Sequence, residues 1–128
     1  MPPLLVINSH NGVPAYRQIM DQIKLQIDSG VLMVGDEMAS TRALAAELQL
    51  NPMTVSKAYA LLERDGVLER RRGQTLVVRQ RSTHEVDESR LTHLRQRLRE
   101  AADMASQLGV SRTEAMRLFR EMLNPPKS

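Results

Sequence analysis

At 128 residues the chain is long enough for one domain, or for a small domain with an appendage. The absence of cysteine excludes disulfides and thiolate metal sites, and a net charge of +3 is too modest to declare a nucleic-acid binder by itself. With 41% hydrophobic but only 2% aromatic residues, the expected core is aliphatic and methionine-filled, so self-association is an expected source of stability.

The N-terminus, MPPLLVINSHNG, lacks a charged segment before its short apolar patch. The chain also has no apolar run of about 18 residues, the length that spans a bilayer, so a cytoplasmic protein with no membrane partner is expected. Leu4 to Ile7 reads as a short strand or an ordered arm, followed by a turn-rich stretch to Val13. Pro14 starts a helix to about Asp28, ended by Ser29-Gly30, with Tyr16, Ile19, Met20, Ile23 and Ile27 in one apolar stripe. Tyr16 and Met20 are assigned to packing. Gly35-Asp36 marks a turn, and Asp36-Glu37 reads as solvated turn chemistry, not a catalytic pair.

Ser40 is an N-cap for a short helix, Thr41 to about Leu48, with Leu44, Ala45 and Leu48 on its inner face. After a turn at Gln49-Leu50, Asn51 caps a second helix, with Pro52 at the first helical position, where a missing N–H costs nothing. Val55, Ala58, Tyr59 and Leu62 form its inner face up to Asp65, and Gly66 supplies the left-handed stop. Two capped helices with so short a turn are a helix-turn-helix, whose second helix commonly enters a DNA major groove. The same helix pair also occurs in α-proteins that never touch nucleic acid.

The residues after Gly66 separate those readings. Val67 to Arg71 and Thr75 to Val78 are short β-prone runs around Arg72-Gly73-Gln74, which predicts a hairpin. Arg70, Arg71 and Arg72, flanked by Arg79 and Arg81, form a basic run with no acid between Glu69 and Glu85. A three-helix unit followed by a basic-tipped hairpin is a winged helix. Arg72 is expected at the tip, with Gly73 allowing close approach of the backbone to a groove.

In order, PAYRQIMDQIKLQIDSG, VGDEMASTRALAAEL and NPMTVSKAYALLERDGVLERRRG resemble the DNA-binding domain of the GntR family of bacterial transcription regulators. The resemblance covers residues about 13 to 78, and the NPMTVSKAY wording with a short tail is similar to the YtrA-like branch. It implies DNA contacts at Ser40 and Arg42, then Asn51, Pro52, Met53, Thr54, Ser56 and Lys57, then Arg72 and Gly73 in the wing. Alanine at 39 replaces the family's usual proline, and the arginines that many members carry near Pro52 and Ser56 are missing. Gly73-Gln74-Thr75 lacks a second wing glycine, so the wing turn is expected to be one residue shorter. Arg42 and Lys57 suit phosphates or guanine edges, Thr54 and Ser56 close contacts to bases or phosphates, and Met53 a thymine methyl. Tyr59 lies too far inward for base contact and is assigned to packing.

Residues 79–89 read as a linker merging into a helix from about Val86 to Leu108, where Leu91, Leu94, Leu98, Ala101, Ala105 and Leu108 form a heptad seam. Gly109 ends it. Ser111 to Glu114 is a capping box opening a last helix with Ala115, Met116, Phe119, Met122 and Leu123 on its apolar side, stopped by Asn124-Pro125-Pro126. The expected fold is mostly α with a small β-hairpin. A winged helix-turn-helix domain over 1–78, with an arm over 1–13, precedes an antiparallel helical hairpin over 86–128.

That hairpin packs back onto the first domain or forms a homodimer, and a two-fold operator favours the dimer. The dimer residues are then Leu91, Leu94, Leu98, Ala101, Ala105, Leu108, Met116, Phe119 and Leu123. The tail is too short for the metabolite-binding domain of larger family members, and no effector site is visible in it. His10, His84 and His93 are scattered without ligand spacing, so neither a metal, a cofactor nor catalysis is nominated. Two function classes remain. One is a dimeric regulator of double-stranded operator DNA, most simply a repressor, whose targets by resemblance include a transporter operon and its own gene. The other is a winged-helix protein–protein adaptor.

Overall fold

A computed structural model of the chain describes residues 5–124. They form two compact units that divide between Arg90 and Leu91.

Helix α1, Ala15–Asp28, buries Ile19, Met20 and Ile23, with Tyr16 and Ile27 at the edges of the stripe. It ends as the sequence predicts. Gly30 is left-handed at φ +85°, and Val31 N donates to Gln26 O at 2.8 Å. Leu4, the first residue of the expected strand or arm, lies outside the described residues. From Leu5 the chain is an arm, not a strand, and two glutamines one turn apart on α1 hold it. Gln22 accepts from Val6 N at 2.9 Å and donates to Val6 O at 2.6 Å, while Gln18 makes the same pair with Asn8, both at 2.8 Å. A primary amide carries both donor and acceptor, so each side chain imitates a strand partner and Leu5 reaches the core.

Helices α2, Thr41–Leu48, and α3, Pro52–Arg64, pack on each other, and α3 also packs on α1. Both predicted caps form. Ser40 Oγ accepts from Ala43 N at 3.0 Å, and Asn51 Oδ1 accepts from Met53 N at 2.8 Å. The turn between them is closed by Gln49, a left-handed residue at φ +56° although it is not glycine. Leu44, Ala45, Val55, Ala58, Tyr59 and Leu62 enter the core as their spacing predicts.

Strands β1, Leu68–Arg70, and β2, Leu76–Val78, pair antiparallel, with Leu68 opposite Val78 and Arg70 opposite Leu76. A single 3-10 turn at Arg72–Gln74 makes the tip, with Gly73 at φ +76°. Gly35-Asp36 does more than turn. Asp36 Oδ2 holds Met33 N at 2.8 Å, and the backbone then lines the free edge of β2. Met38 N donates to Leu76 O at 2.8 Å and Val78 N to Asp36 O at 2.9 Å, so the short hairpin has no open edge there.

One expectation about the core is corrected. Of the methionines described, Met20 is buried and Met38 packs against the core, whereas Met33, Met53, Met104, Met116 and Met122 are exposed. Isoleucine, leucine and valine from three helices and the hairpin already fill the space.

Helix α4, Thr83–Gln107, starts earlier than the predicted Val86, which leaves little of the expected 79–89 linker. Ser82 Oγ accepts from Glu85 N at 3.1 Å, so Ser82-Thr83-His84-Glu85 is a capping sequence that precedes the first apolar residue of the helix. Arg79 is also fixed, its N–H donating to Val67 O at 3.0 Å. Helix α5, Arg112–Leu123, follows a left-handed Gly109 and opens on Ser111, whose Oγ accepts from Glu114 N at 3.1 Å. Pro125 and Pro126, read as its stop, lie outside the described residues. The two helices of this hairpin scarcely pack on one another, and neither contains a buried residue. Leu91, Leu94, Leu98 and Ala101 on α4, Leu108 in the turn that follows it, and Met116, Phe119 and Leu123 on α5 stand exposed, and Ala105 is half-buried.

Candidate nucleic-acid interface

The buried face of α3 fixes what its other face presents. Val55, Ala58, Tyr59 and Leu62 point inward, which leaves Pro52, Met53, Ser56 and Lys57 in solvent and Thr54 half-buried at the margin. Met53 is 78% exposed, so an unbranched apolar side chain stands at the start of the helix with nothing covering it.

The two capping residues keep hydrogen-bonding capacity for a ligand. Ser40 Oγ and Asn51 Oδ1 each accept from their own helix, so the Ser40 hydroxyl proton and the Asn51 Nδ2 hydrogens remain donors. Arg42, in the first turn of α2, is exposed and makes no ion pair among the described residues. The start of α2 is anchored to α3 by Tyr59, whose hydroxyl donates to Ala39 O at 2.8 Å. Burial, reinforced by the negative charge of Glu47, pushes the Tyr59 hydroxyl up from its ordinary pKa near 10 to about 12.

The basic run is less uniform than its sequence suggests. Arg70 pairs with Glu63 at 3.2 Å and Arg71 with Glu69 at 3.4 Å, whereas Arg72, at the tip with Gly73, makes no ion pair among the described residues. Arg71 and Arg72 line a shallow depression beside the hairpin tip with Gly35, Glu37, Thr75 and Val77. Arg79 donates to Gly66 O at 3.3 Å, where it steadies the end of α3. Arg81 does not present its charge to solvent. Its side chain is 8% exposed and pairs with Asp28, itself 3% exposed, which also accepts from the Ser89 hydroxyl. Folding thus brings an acid from α1 onto Arg81 and one from the end of α3 onto Arg70. Neither pairing is visible from the absence of acids between Glu69 and Glu85.

Lys57 has a partner that spacing does not reveal. Its Nζ lies 4.0 Å from the centroid of the Tyr16 ring, a cation–π contact between α3 and the first turn of α1. Tyr16 does pack against the core as expected, but one face of its ring serves the lysine.

Together the first unit carries three polar segments on connected elements: the start of α2 (Ser40, Arg42), the first two turns of α3 (Asn51 to Lys57) and the hairpin tip (Arg72, Gly73). Hydroxyls, an amide, cations and one exposed thioether can hold phosphates and touch base edges. Among the described residues there is no group of three metal-ligating side chains, and no helix is long and apolar enough to cross a membrane.

Residues 15–78 match the family described as bacterial regulatory proteins, gntR family. Over 107 residues the chain is 33% identical to the HTH-type transcriptional repressor YtrA of Bacillus subtilis (strain 168), spanning 84% of this chain and 82% of that protein. A solved structure described as a transcriptional antiterminator from Listeria monocytogenes superposes with a TM-score of 0.71 at 31% identity, over 97% of this chain and 92% of that one. YtrA from Sulfolobus acidocaldarius, a GntR-family transcription factor, gives 0.60 at 30% identity, over 72% of this chain and 97% of that one.

Proposed function

The chain belongs to the GntR family of bacterial transcription regulators, and from that membership we propose a homodimeric repressor that binds an inverted-repeat operator. Its relatives are regulators and not enzymes. The observation that carries the reading is the exposed start of α3, capped by Asn51 and locked from behind by four buried side chains. Ser40, Arg42, Asn51, Lys57 and Arg72 neutralise or bond phosphates and set the register, with Pro52 and Gly73 letting the backbone come close. Thr54, Ser56 and Met53 then meet base edges.

Dimerisation rests on the open apolar faces of α4 and α5, the first of which has the heptad spacing of a helical interface. Two copies present two recognition helices to two half-sites. Occupying a promoter blocks transcription without further machinery. The proposed targets are the chain's own gene and a neighbouring transporter operon, and no effector is assigned.

The test measures affinity for the promoter fragment upstream of the chain's own gene across a range of salt. Lys57→Ala is expected to weaken binding and lower the salt slope by about one phosphate's worth. Unchanged affinity and slope would remove Lys57 from the interface, and a monomer in sedimentation equilibrium at micromolar concentration would overturn the dimer.

A further inference from the structure

Packing alone does not account for Tyr16. It sits in the first turn of α1, half-buried, and the ammonium of Lys57 rests 4.0 Å from its ring centroid. No carboxylate competes for that ammonium. The first turn of α1 holds no acid, and Lys57 makes no ion pair among the described residues.

We propose that Tyr16 is a positioning residue for operator binding: its ring holds the Lys57 ammonium at a fixed place on the DNA-facing side of α3 without touching DNA itself. The inference rests on the assignment of Lys57 to the DNA contact. An aromatic face is the negative end of a quadrupole, so it attracts the cation without neutralising it, as a carboxylate would. The ammonium carries three N–H donors, and a ring beneath it leaves the solvent side open to a phosphate oxygen, consistent with the exposure of Lys57. A lysine already docked on a ring has less rotamer freedom left to lose when it meets the phosphate.

The probe is a duplex carrying the sequence that the wild-type chain retains most strongly from genomic fragments. Affinity and salt slope are measured for wild type, Tyr16→Leu, Tyr16→Phe, Lys57→Met and the Leu–Met double variant, each checked for folding by circular dichroism. Tyr16→Leu is expected to weaken binding about two- to fivefold, the scale of ordering one free lysine side chain, and Tyr16→Phe to bind as wild type. In the Lys57→Met background, Tyr16→Leu should have no further effect.

A loss that persists in that background would mean a merely structural role and would overturn the proposal. So would a Phe variant as weak as Leu, which would point to the hydroxyl, or a Leu variant equal to wild type. A wild-type affinity for Lys57→Met would overturn it together with the Lys57 assignment. Failure of the DNA-binding reading itself is distinguishable, because the wild-type chain would then retain no fragment preferentially. Independently of DNA, the Lys57 ε-methylene proton shifts should move upfield in wild type and Tyr16→Phe and return to ordinary values in Tyr16→Leu. Ordinary values in wild type would contradict the contact.

Discussion

Tyr59 shows how one polar atom is accommodated inside a small aliphatic core. Its ring is buried with Val55 and Leu62, and its hydroxyl donates to Ala39 O, so the backbone before α2 is tied to α3. Tyr59→Phe would keep the ring and orphan that carbonyl, a loss of about 1–2 kcal/mol readable by urea unfolding. The raised pKa gives a second reading. A hydroxyl near 10 in the unfolded chain and about 12 in the fold stabilises fully below pH 10. Because burial disfavours the phenolate, stability is then lost as pH rises from about 10 to about 12. Wild type should therefore lose more stability over that window than Tyr59→Phe, and equal losses would show that Tyr59 does not titrate differently in the fold. The inward place of Tyr59 is legible from helical spacing, because i, i+3, i+4, i+7 positions share a face. Its acceptor, the Lys57–Tyr16 contact and the Arg81–Asp28 pair are not, since each joins residues that only the tertiary fold brings together.

At the scale of elements, boundaries marked by capping chemistry are legible wherever the cap stands next to a clear apolar repeat. Ser40, Asn51, Gly66 and Ser111 all act as their sequence context predicts. Ser82 escapes that reading because Thr83 to Glu85 offers no apolar residue, and Val86, the expected helix start, is the first that does. The strand-like pairing of residues 35–38 escapes it for a related reason: it uses backbone groups only, and side-chain alternation carries no sign of it. The turn between α2 and α3 contains an expected gain in stability. Gln49 sits at φ +56°, where a Cβ is unfavourable by about 1 kcal/mol or more, while glycine costs more entropy to order. Gln49→Gly should therefore raise stability by about 0.5 kcal/mol, measured by the urea midpoint. A clear loss would mean that the side chain compensates for its backbone strain.

At the scale of the molecule, the first unit closes its own core and the second does not. Leu98 is 40% exposed and Phe119 is 38% exposed, on helices that hardly touch one another. A heptad seam left open in one copy is what the dimer reading requires, and the seam is legible in the sequence. The near absence of packing between α4 and α5 is not, because periodicity identifies an apolar face without identifying what covers it. Replacing Leu94 and Leu98 together with aspartate should give a monomer in sedimentation equilibrium with α4 and α5 still helical. Affinity for a two-half-site duplex should fall about a hundredfold, as expected when two linked contacts become one. A dimer that survives this change would place the interface elsewhere.

Specific recognition of DNA by the exposed start of α3 underlies every role proposed for the first unit. The direct test is selection of genomic fragments by the purified chain at physiological salt, with excess competitor DNA. Enrichment of a few sites sharing an inverted repeat, including one upstream of the chain's own gene, is the predicted result. Uniform retention across fragments that disappears as salt rises would be phosphate attraction alone, and would contradict it.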